Sequence, residues 1–184
     1  KREHKTNTFS DFVAVGEFLA RKKFTSRGRI VAQGGSAGGM LMGAIANQAP
    51  DLFLGIIAEV PFVDVLNTML DDTLPLTPLE WPEWGNPIKS KRDFERIHAY
   101  SPYENVTAQA YPHIFALAGL TDPRVTYWEA AKWIARLRAH KTDANHLLLK
   151  VNMDAGHRGA SGRFDRLKEV ALTYAFALEI AGKA

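Results

Sequence analysis

Residues 29–39 read RIVAQGGSAGG, and this stretch is the strongest indication of the fold of the chain. Its first five residues include β-branched and apolar side chains that favour a strand. The glycines that follow are typical of a tight turn. The next segment, residues 40–47, is small, apolar and free of helix breakers, which favours a buried helix. The stretch therefore predicts a strand, a sharp turn at Ser36 and a helix.

The rest of the chain repeats this alternation of strand and helix. Three further apolar runs are typical of strands buried on both faces: LGIIAEV at 54–60, HIFALA at 113–118 and HLLLKV at 146–151. Helical spacing of apolar residues appears at 8–24, 128–138 and 163–180. Strands that alternate with helices indicate an α/β fold, in which a parallel sheet carries helices on both faces.

One region, residues 70–106, differs from this pattern. It is rich in proline and tryptophan: Pro75, Pro78, Trp81, Pro82, Trp84, Pro87 and Pro102. This composition predicts a long irregular excursion between two strands. Substrate-binding loops usually occupy such positions.

The composition excludes several classes of protein. The 23 basic and 20 acidic residues leave a net charge of only +3, and the basic run at 21–29 is typical of a solvated helix end, so we expect no nucleic-acid partner. The chain has no cysteine, which excludes disulfides and cysteine-based zinc sites. No apolar run reaches the roughly 18 residues of a membrane helix, and no metal-binding motif such as H-E-x-x-H is present. We expect neither a membrane partner nor a cofactor.

Residues 34–38 match the pattern G-x-S-x-G between a strand and a helix, which is the context of a nucleophile elbow. Small residues on both sides of Ser36 allow the strand and the helix to approach closely. The N–H of Ala37, at the start of the helix, can face the oxyanion that forms when Ser36 attacks a carbonyl. The alternatives are a simple tight turn or a phosphate loop, and the latter lacks the usual Lys-Ser/Thr ending.

A nucleophilic serine needs a base and an orienting carboxylate, which in α/β-hydrolases follow the serine in the order acid, histidine. Asp122 follows the third predicted strand and His157 follows the fourth. The other histidines precede the turn, precede Asp122, begin strands or end a helix: His4, His98, His113, His146 and His140. Asp154 and, less well placed, Asp143 are competing carboxylates, although both are typical of loops or turns.

Several longer strings carry a resemblance to a known family. They are GGSAGGMLMGAIANQAP (34–50), AEVPFVDVLNTMLDDTLPLT (58–77), EWGNP (83–87), YSPYENV (100–106), YWEAAKW (127–133) and GHRGASGRF (156–164). Together they resemble the C-terminal part of the oligopeptidase B branch of the prolyl oligopeptidase family, over nearly all 184 residues. That family pairs a β-propeller with an α/β-hydrolase domain and cleaves short peptides.

The resemblance implies roles for particular residues. Ser36, Asp122 and His157 correspond to the family's triad, and Arg124 to an arginine that binds a substrate carbonyl. Oligopeptidase B holds Arg or Lys with two glutamates in an E-x-E pattern, and here Glu80 matches the first acid while Pro82 replaces the second. The family's second oxyanion donor is a tyrosine upstream of the elbow, which this chain does not include.

The sequence therefore predicts a serine oligopeptidase acting on short peptides, with cleavage after basic residues. By the resemblance, residues 1–184 form part of an α/β-hydrolase catalytic domain, without the propeller and first sheet strands, and the missing N-terminal part would pack on the open sheet edge. The expected compartment is the cytoplasm. The alternatives are an esterase or aminopeptidase-like acyl hydrolase of the same fold, or an inert module that only folds or binds.

Overall fold

The computed structural model describes residues 1–183, apart from the side chain of Arg163; Ala184, the last residue of the predicted domain, lies outside the described residues. Its four strands are parallel and lie side by side in chain order: β1 (Ile30–Gly35), β2 (Phe53–Glu59), β3 (His113–Gly119) and β4 (Leu147–Asn152). The predicted strands agree with these bounds within two residues. The prediction of a parallel α/β sheet is confirmed.

Helices cover both faces of the sheet, as predicted. On one face, α2 (Ala37–Gln48) and α6 (Tyr127–His140) bury the main core, including Ile45, Ile56, Ile114 and Trp133. On the other face, α7 (Arg163–Ile180) packs through Phe176 on Ile57 and Phe115. The N-terminal helix α1 (Asn7–Arg21) follows a short 3-10 turn (Arg2–His4) and lies against α2.

The prediction of an irregular excursion at residues 70–106 was wrong. The chain between β2 and β3 contains three helices: α3 (Val65–Leu70), α4 (Thr77–Trp84) and α5 (Lys91–Tyr100). Prolines are tolerated here because they lie at helix starts or in loops, except for Pro82, which lies inside the eight-residue α4. The side chain of Ser90 accepts a hydrogen bond from the Asp93 N–H and caps α5.

The helix α7 is apolar on two sides. Its outward face exposes large apolar side chains at helical spacing, among them the four residues Phe164, Leu167, Tyr174 and Leu178. A helix that is apolar on all sides is usually buried on all sides. We call these four residues the α7 stripe.

Among the helices of residues 1–183, none combines the length and hydropathy that crossing a lipid bilayer requires.

Candidate active site

The predicted site residues meet at one edge of the sheet because the four strands end together. The register pairs Gly35 with Glu59, Glu59 with Leu117 and Gly119 with Asn152. The segments that carry Ser36, Asp122 and His157 follow these strand ends directly. The carboxyl ends of parallel strands form the usual ligand-binding edge of an open α/β sheet.

Ser36 occupies the turn between β1 and α2 in a strained conformation, with φ 57° and ψ −120°. Two backbone hydrogen bonds hold it there: its N–H donates to the Glu59 carbonyl at 2.9 Å, and its carbonyl accepts from the Phe62 N–H at 3.1 Å. Val60, between those two partners, also has a positive φ of 39°. Such conformations cost on the order of 1–3 kcal/mol and persist only where the surroundings enforce them.

The glycines of the turn allow close backbone contacts. A Cβ on Gly39 would lie 2.5 Å from the Cα of Pro61, and a Cβ on Gly34 would lie 2.5 Å from the carbonyl oxygen of Gly38. These are backbone atoms that cannot move aside. The glycines therefore let the start of α2 pack directly on the strand that precedes it and on the segment after β2.

Ala37 is the first residue of α2, a helix of 12 residues. The first N–H groups of a helix have no partner within the helix and lie at the positive end of its dipole. Ala37 also lines the same cavity as Ser36 and His157. Its N–H is therefore available to a developing negative charge beside Ser36.

Asp122 is buried and makes three hydrogen bonds. Its Oδ1 accepts from the N–H groups of Arg124 at 2.8 Å and Val125 at 3.0 Å, and its Oδ2 lies 2.8 Å from Nδ1 of His157. A carboxylate oxygen can only accept, so the proton of the imidazole lies on Nδ1. This arrangement leaves Nε2 of His157 as the free nitrogen of the ring.

The loop that carries His157 is held by Glu169 of α7. Oε2 of Glu169 accepts from the Ala160 N–H at 2.9 Å, and Oε1 accepts from Nδ2 of Asn152 at 2.8 Å. Gly159 has a positive φ of 76°, which allows the loop to turn back. A residue with a side chain would be strained in this conformation. Glu169 was not predicted from the sequence, since a glutamate in the first turns of a helix is usually exposed.

Ser36 and His157 border the same two cavities, so their side chains face common space. The hydrogen bonds found within residues 1–183 do not include one between the Ser36 hydroxyl and the His157 ring. Catalytic hydrogen bonds of this kind are often long before a substrate binds.

The smaller cavity, of about 120 Å³, runs from Ser36 and His157 to Glu80 of α4. We call it the Glu80 cavity. Its walls are largely apolar and include Phe62, Met69, Leu74, Leu76, Trp84 and Val125. Nε1 of Trp84 donates to Oε2 of Glu80 at 2.7 Å, which orients the carboxylate. An apolar cavity with one oriented carboxylate is chemically suited to a long basic side chain.

Arg124 and the two residues that flank Pro82 in the chain have different positions. Arg124 lines the Glu80 cavity together with Glu80. Glu83 points elsewhere and pairs with Lys5, and this hydrogen bond keeps the pKa of Glu83 below its usual range. Trp81 packs on the buried cluster of α3 to α5 and donates to the Met69 carbonyl.

The competing carboxylates have structural positions. Oδ1 and Oδ2 of Asp143 accept from the N–H groups of Asn145 and Tyr111, and Asp143 also pairs with Lys141. Asp154 is exposed in the loop before His157. Neither carboxylate is bonded to His157, whose Nδ1 faces Asp122.

The sequence reasoning missed several residues of the Glu80 cavity, among them Thr68 and Glu129. Thr68 comes from α3, just before the segment expected to be irregular, and Glu129 comes from α6. The order T-x-x-E at 126–129 could have singled out Glu129, but only as a helix-capping residue.

Comparison with known proteins identifies the family of the chain. A model of the prolyl oligopeptidase family matches residues 1–184. The chain belongs to the prolyl oligopeptidase family.

Within the family, curated relatives include Protease 2 of Moraxella lacunata, 54% identical over 182 residues, and dipeptidyl aminopeptidase BI of Pseudoxanthomonas mexicana, 48% identical over 184 residues. These alignments cover 99% and 100% of this chain but 26% and 25% of the relatives. The chain therefore spans about a quarter of the length of these members of the family.

Solved structures of the family give the same result. Oligopeptidase B from Leishmania major superposes with a TM-score of 0.97 at 48% identity, covering 100% of this chain and 25% of that one. Oligopeptidase B from Trypanosoma brucei, with covalently bound antipain, superposes with a TM-score of 0.95 at 49% identity, covering 97% and 25%.

Proposed function

We propose that this chain carries the catalytic residues of a serine oligopeptidase. In this proposal Ser36 is the nucleophile, His157 the general base and acid, and Asp122 the residue that orients the imidazole. The Ala37 N–H is one oxyanion donor. The substrates are short peptides, and the reaction proceeds through an acyl-enzyme.

The reaction has two halves. His157 Nε2 removes the proton of the Ser36 hydroxyl as Oγ attacks the scissile carbonyl, and the Ala37 N–H stabilises the oxyanion. His157 then protonates the leaving amine, which breaks the peptide bond and leaves an ester on Ser36. Water, activated by the same imidazole, attacks the ester and releases the acid. Asp122 remains ionised and stabilises the imidazolium formed in each half.

One observation carries the proposal: Asp122 Oδ2 lies 2.8 Å from Nδ1 of His157, so Nε2 of that ring is free beside the cavities that Ser36 borders. The strained φ of 57° at Ser36 adds support, since nucleophile elbows hold their serine in such a turn. A histidine in a merely structural role has no need of a buried carboxylate on one nitrogen and open space on the other.

The test is Ser36→Ala in the full-length protein. We expect kcat for peptide cleavage to fall by about 10⁴–10⁶-fold, as in other serine triads. Labelling by a fluorophosphonate should be lost with it. Ser10→Ala, on the exposed side of α1, is the matched control and should keep both. Peptide cleavage at the original rate by Ser36→Ala would refute the proposal.

We propose further that the enzyme cleaves after Arg or Lys. Glu80 supports this preference, because its carboxylate is oriented by Trp84 in an apolar cavity that begins at Ser36. Arg124, also on this cavity, is proposed to hold a carbonyl of the substrate backbone. Rates on matched amides with Arg, Lys, Met and Phe before the scissile bond would test the preference.

A second candidate function is removal of dipeptides from a free N-terminus. The 48% identity to a dipeptidyl aminopeptidase favours it. Paired substrates that differ only in an acetyl group on the N-terminus separate the two functions. An oligopeptidase cleaves both members of the pair, whereas a dipeptidyl aminopeptidase requires the free amine. Turnover of short acyl esters without any amide cleavage would instead indicate an esterase.

The chain's relation to its relatives supports a proposal about the whole protein. We propose that residues 1–184 form part of a catalytic domain and that a further N-terminal part, including a β-propeller, packs on the edge of β1. Within the described chain β1 pairs only with β2, so its other edge is open. The cytoplasm stays a prediction, to be checked by imaging the tagged full-length protein.

A further inference from the structure

Glu129 is a buried acid that the proposed reaction does not use. It lies in the first turn of α6 with 0% of its surface exposed, and it borders the Glu80 cavity. Its Oε2 accepts from the Asp64 N–H at 2.9 Å, and its Oε1 accepts from the Thr68 hydroxyl at 2.7 Å. Asp64 immediately precedes α3, and Thr68 lies within α3 and also borders the cavity.

The sequence around Glu129 predicts a different arrangement. Thr126 and Glu129 form the order T-x-x-E, in which the glutamate would normally fold back to cap its own helix. Here the Glu129 side chain extends to α3 instead, and Thr126 makes no side-chain capping bond. The Thr126 hydroxyl is left buried without a partner within the described chain, and Thr126 also borders the cavity. Glu129 therefore does not cap its own helix, and its carboxyl group lies beside the cavity instead.

The charges that border the cavity make this carboxyl group significant. Glu80 and Arg124 are the charged side chains there besides Glu129, and His157 closes the end near Ser36. The position of a second acid on α4 is occupied by Pro82, which supplies no charge. Glu129 is therefore a second acid beside this cavity, in addition to Glu80.

We propose that Glu129 is a specificity-determining residue that supplies, from α6, the second negative charge felt by a basic side chain in the Glu80 cavity. This inference rests on the proposed function and extends it to the basis of selectivity. Glu129 acts on the bound side chain through its charge and not by direct contact, because none of its surface is exposed.

The environment of Glu129 makes its charge depend on the occupant of the cavity. Burial raises the pKa of Glu129 to about 8, even though the hydrogen bonds from Asp64 and Thr68 favour the ionised form, and the nearby Asp64 carboxylate raises it further. Asp64 itself pairs with Lys132, which is not among the residues that line the cavity. At neutral pH the acid is therefore mostly protonated while the cavity holds no cation.

A guanidinium group in the cavity favours the ionised form, so its binding must release a proton. The affinity for a basic ligand should then rise with pH up to about 8 and become flat above it, since Glu129 is ionised there before binding. Arginine stays protonated throughout this range, so the ligand itself contributes no titration.

The experiment compares acetyl-Phe-Arg-amide with acetyl-Phe-citrulline-amide, which has nearly the same shape and no charge. Both are bound to the full-length Ser36→Ala protein, and calorimetry in buffers of different ionisation enthalpy measures the protons released. We expect protons to be released with the arginine peptide only, at pH values below the Glu129 pKa of about 8. Glu129→Gln should abolish this release and lower the preference for arginine over citrulline by about tenfold, which corresponds to about 1.4 kcal/mol.

Glu104→Gln is the matched control. Glu104 is another partly buried acid near Asp64 whose pKa is raised by burial, but it does not border the cavity. It should keep both the proton release and the preference for arginine.

Several outcomes would overturn the proposal. One is an unchanged preference for arginine over citrulline in Glu129→Gln. Another is an equal loss of affinity for both peptides in that variant, which would indicate a structural role. If Glu129→Gln does not fold, the proton release of the parent protein decides: equal release with arginine and citrulline refutes the proposal. Failure of the proposed function would be detected by a different measurement, namely peptide cleavage by the Ser36→Ala variant.

Discussion

The strand-end edge and the helical segment between β2 and β3 form the site in different ways. At the edge, parallel strands in register bring Ser36, Asp122 and His157 to neighbouring loops, and backbone hydrogen bonds fix the strained turn. In the helical segment, α3 and α4 supply Thr68 and Glu80 by packing side chain on side chain. The edge provides the groups proposed for the chemistry, and the helical segment provides the cavity wall.

Substitutions at the two places should therefore have different consequences: general at the edge and selective in the helical segment. A change at the edge alters the reacting groups, so it should affect every substrate. A change in the helical segment alters the lining of the Glu80 cavity, so it should affect substrates according to the side chain they place there.

The largest expected effect is at the edge. Asp122→Asn should lower kcat by about 10⁴-fold for basic and neutral substrates alike, because an amide at this position can favour the wrong tautomer of His157. The measurement is steady-state kinetics on arginine and citrulline amides. Asp154→Asn, in the exposed part of the same loop as His157, should retain the original kcat. A loss confined to the arginine substrate would contradict the general role of the edge.

The next effect belongs to the helical segment. Glu80→Gln keeps an acceptor for the Trp84 N–H but removes the charge, so kcat/KM for arginine amides should fall by about 10–100-fold. The citrulline amide should lose much less. Glu83→Gln, which alters the pair with Lys5 and not the cavity, is the control and should leave the ratio of the two rates as it was. An equal loss on both amides would show that Glu80 is not a selective residue.

A third effect tests how tightly the edge is packed. Gly39→Ala places a Cβ 2.5 Å from the Pro61 Cα, so we expect about 1–3 kcal/mol less free energy of unfolding, measured by urea denaturation. Gly38→Ala is one residue away, where a Cβ would meet no atom within 4 Å. It should leave stability unchanged or raise it by up to about 1 kcal/mol, since alanine favours helix. Equal stabilities for the two variants would mean that α2 does not need this close contact.

The smallest expected effect concerns the His157 loop. Glu169→Gln removes a charge and weakens one of the two hydrogen bonds to Ala160 and Asn152, so kcat/KM should fall by a few-fold, about 2–10, equally for all substrates. The control is Glu179→Gln, an exposed acid on the same helix, with no expected change. A selective loss on arginine substrates would place Glu169 with the cavity residues rather than with the edge.

The sequence predicted the edge well because its signals are local. Continuous apolar runs gave the strands within two residues, and the loops after them contained Asp122 and His157. The helical segment was predicted less well, since Pro82 and its neighbours are typical of loops, and only packing on the rest of the core allows α4 to form around a proline. Glu129 is the clearest case. Its local pattern indicates a capping residue, whereas its role depends on α3, about 60 residues away in the chain.

The α7 stripe has a practical consequence for handling this polypeptide. Phe164, Leu167, Tyr174 and Leu178 form a ridge facing water, and such ridges promote self-association at the concentrations used for crystallisation. Replacing the four with Lys and Glu would leave Phe176, on the inner side, in place against Phe115. That variant is the form of residues 1–184 expected to stay monomeric at high concentration.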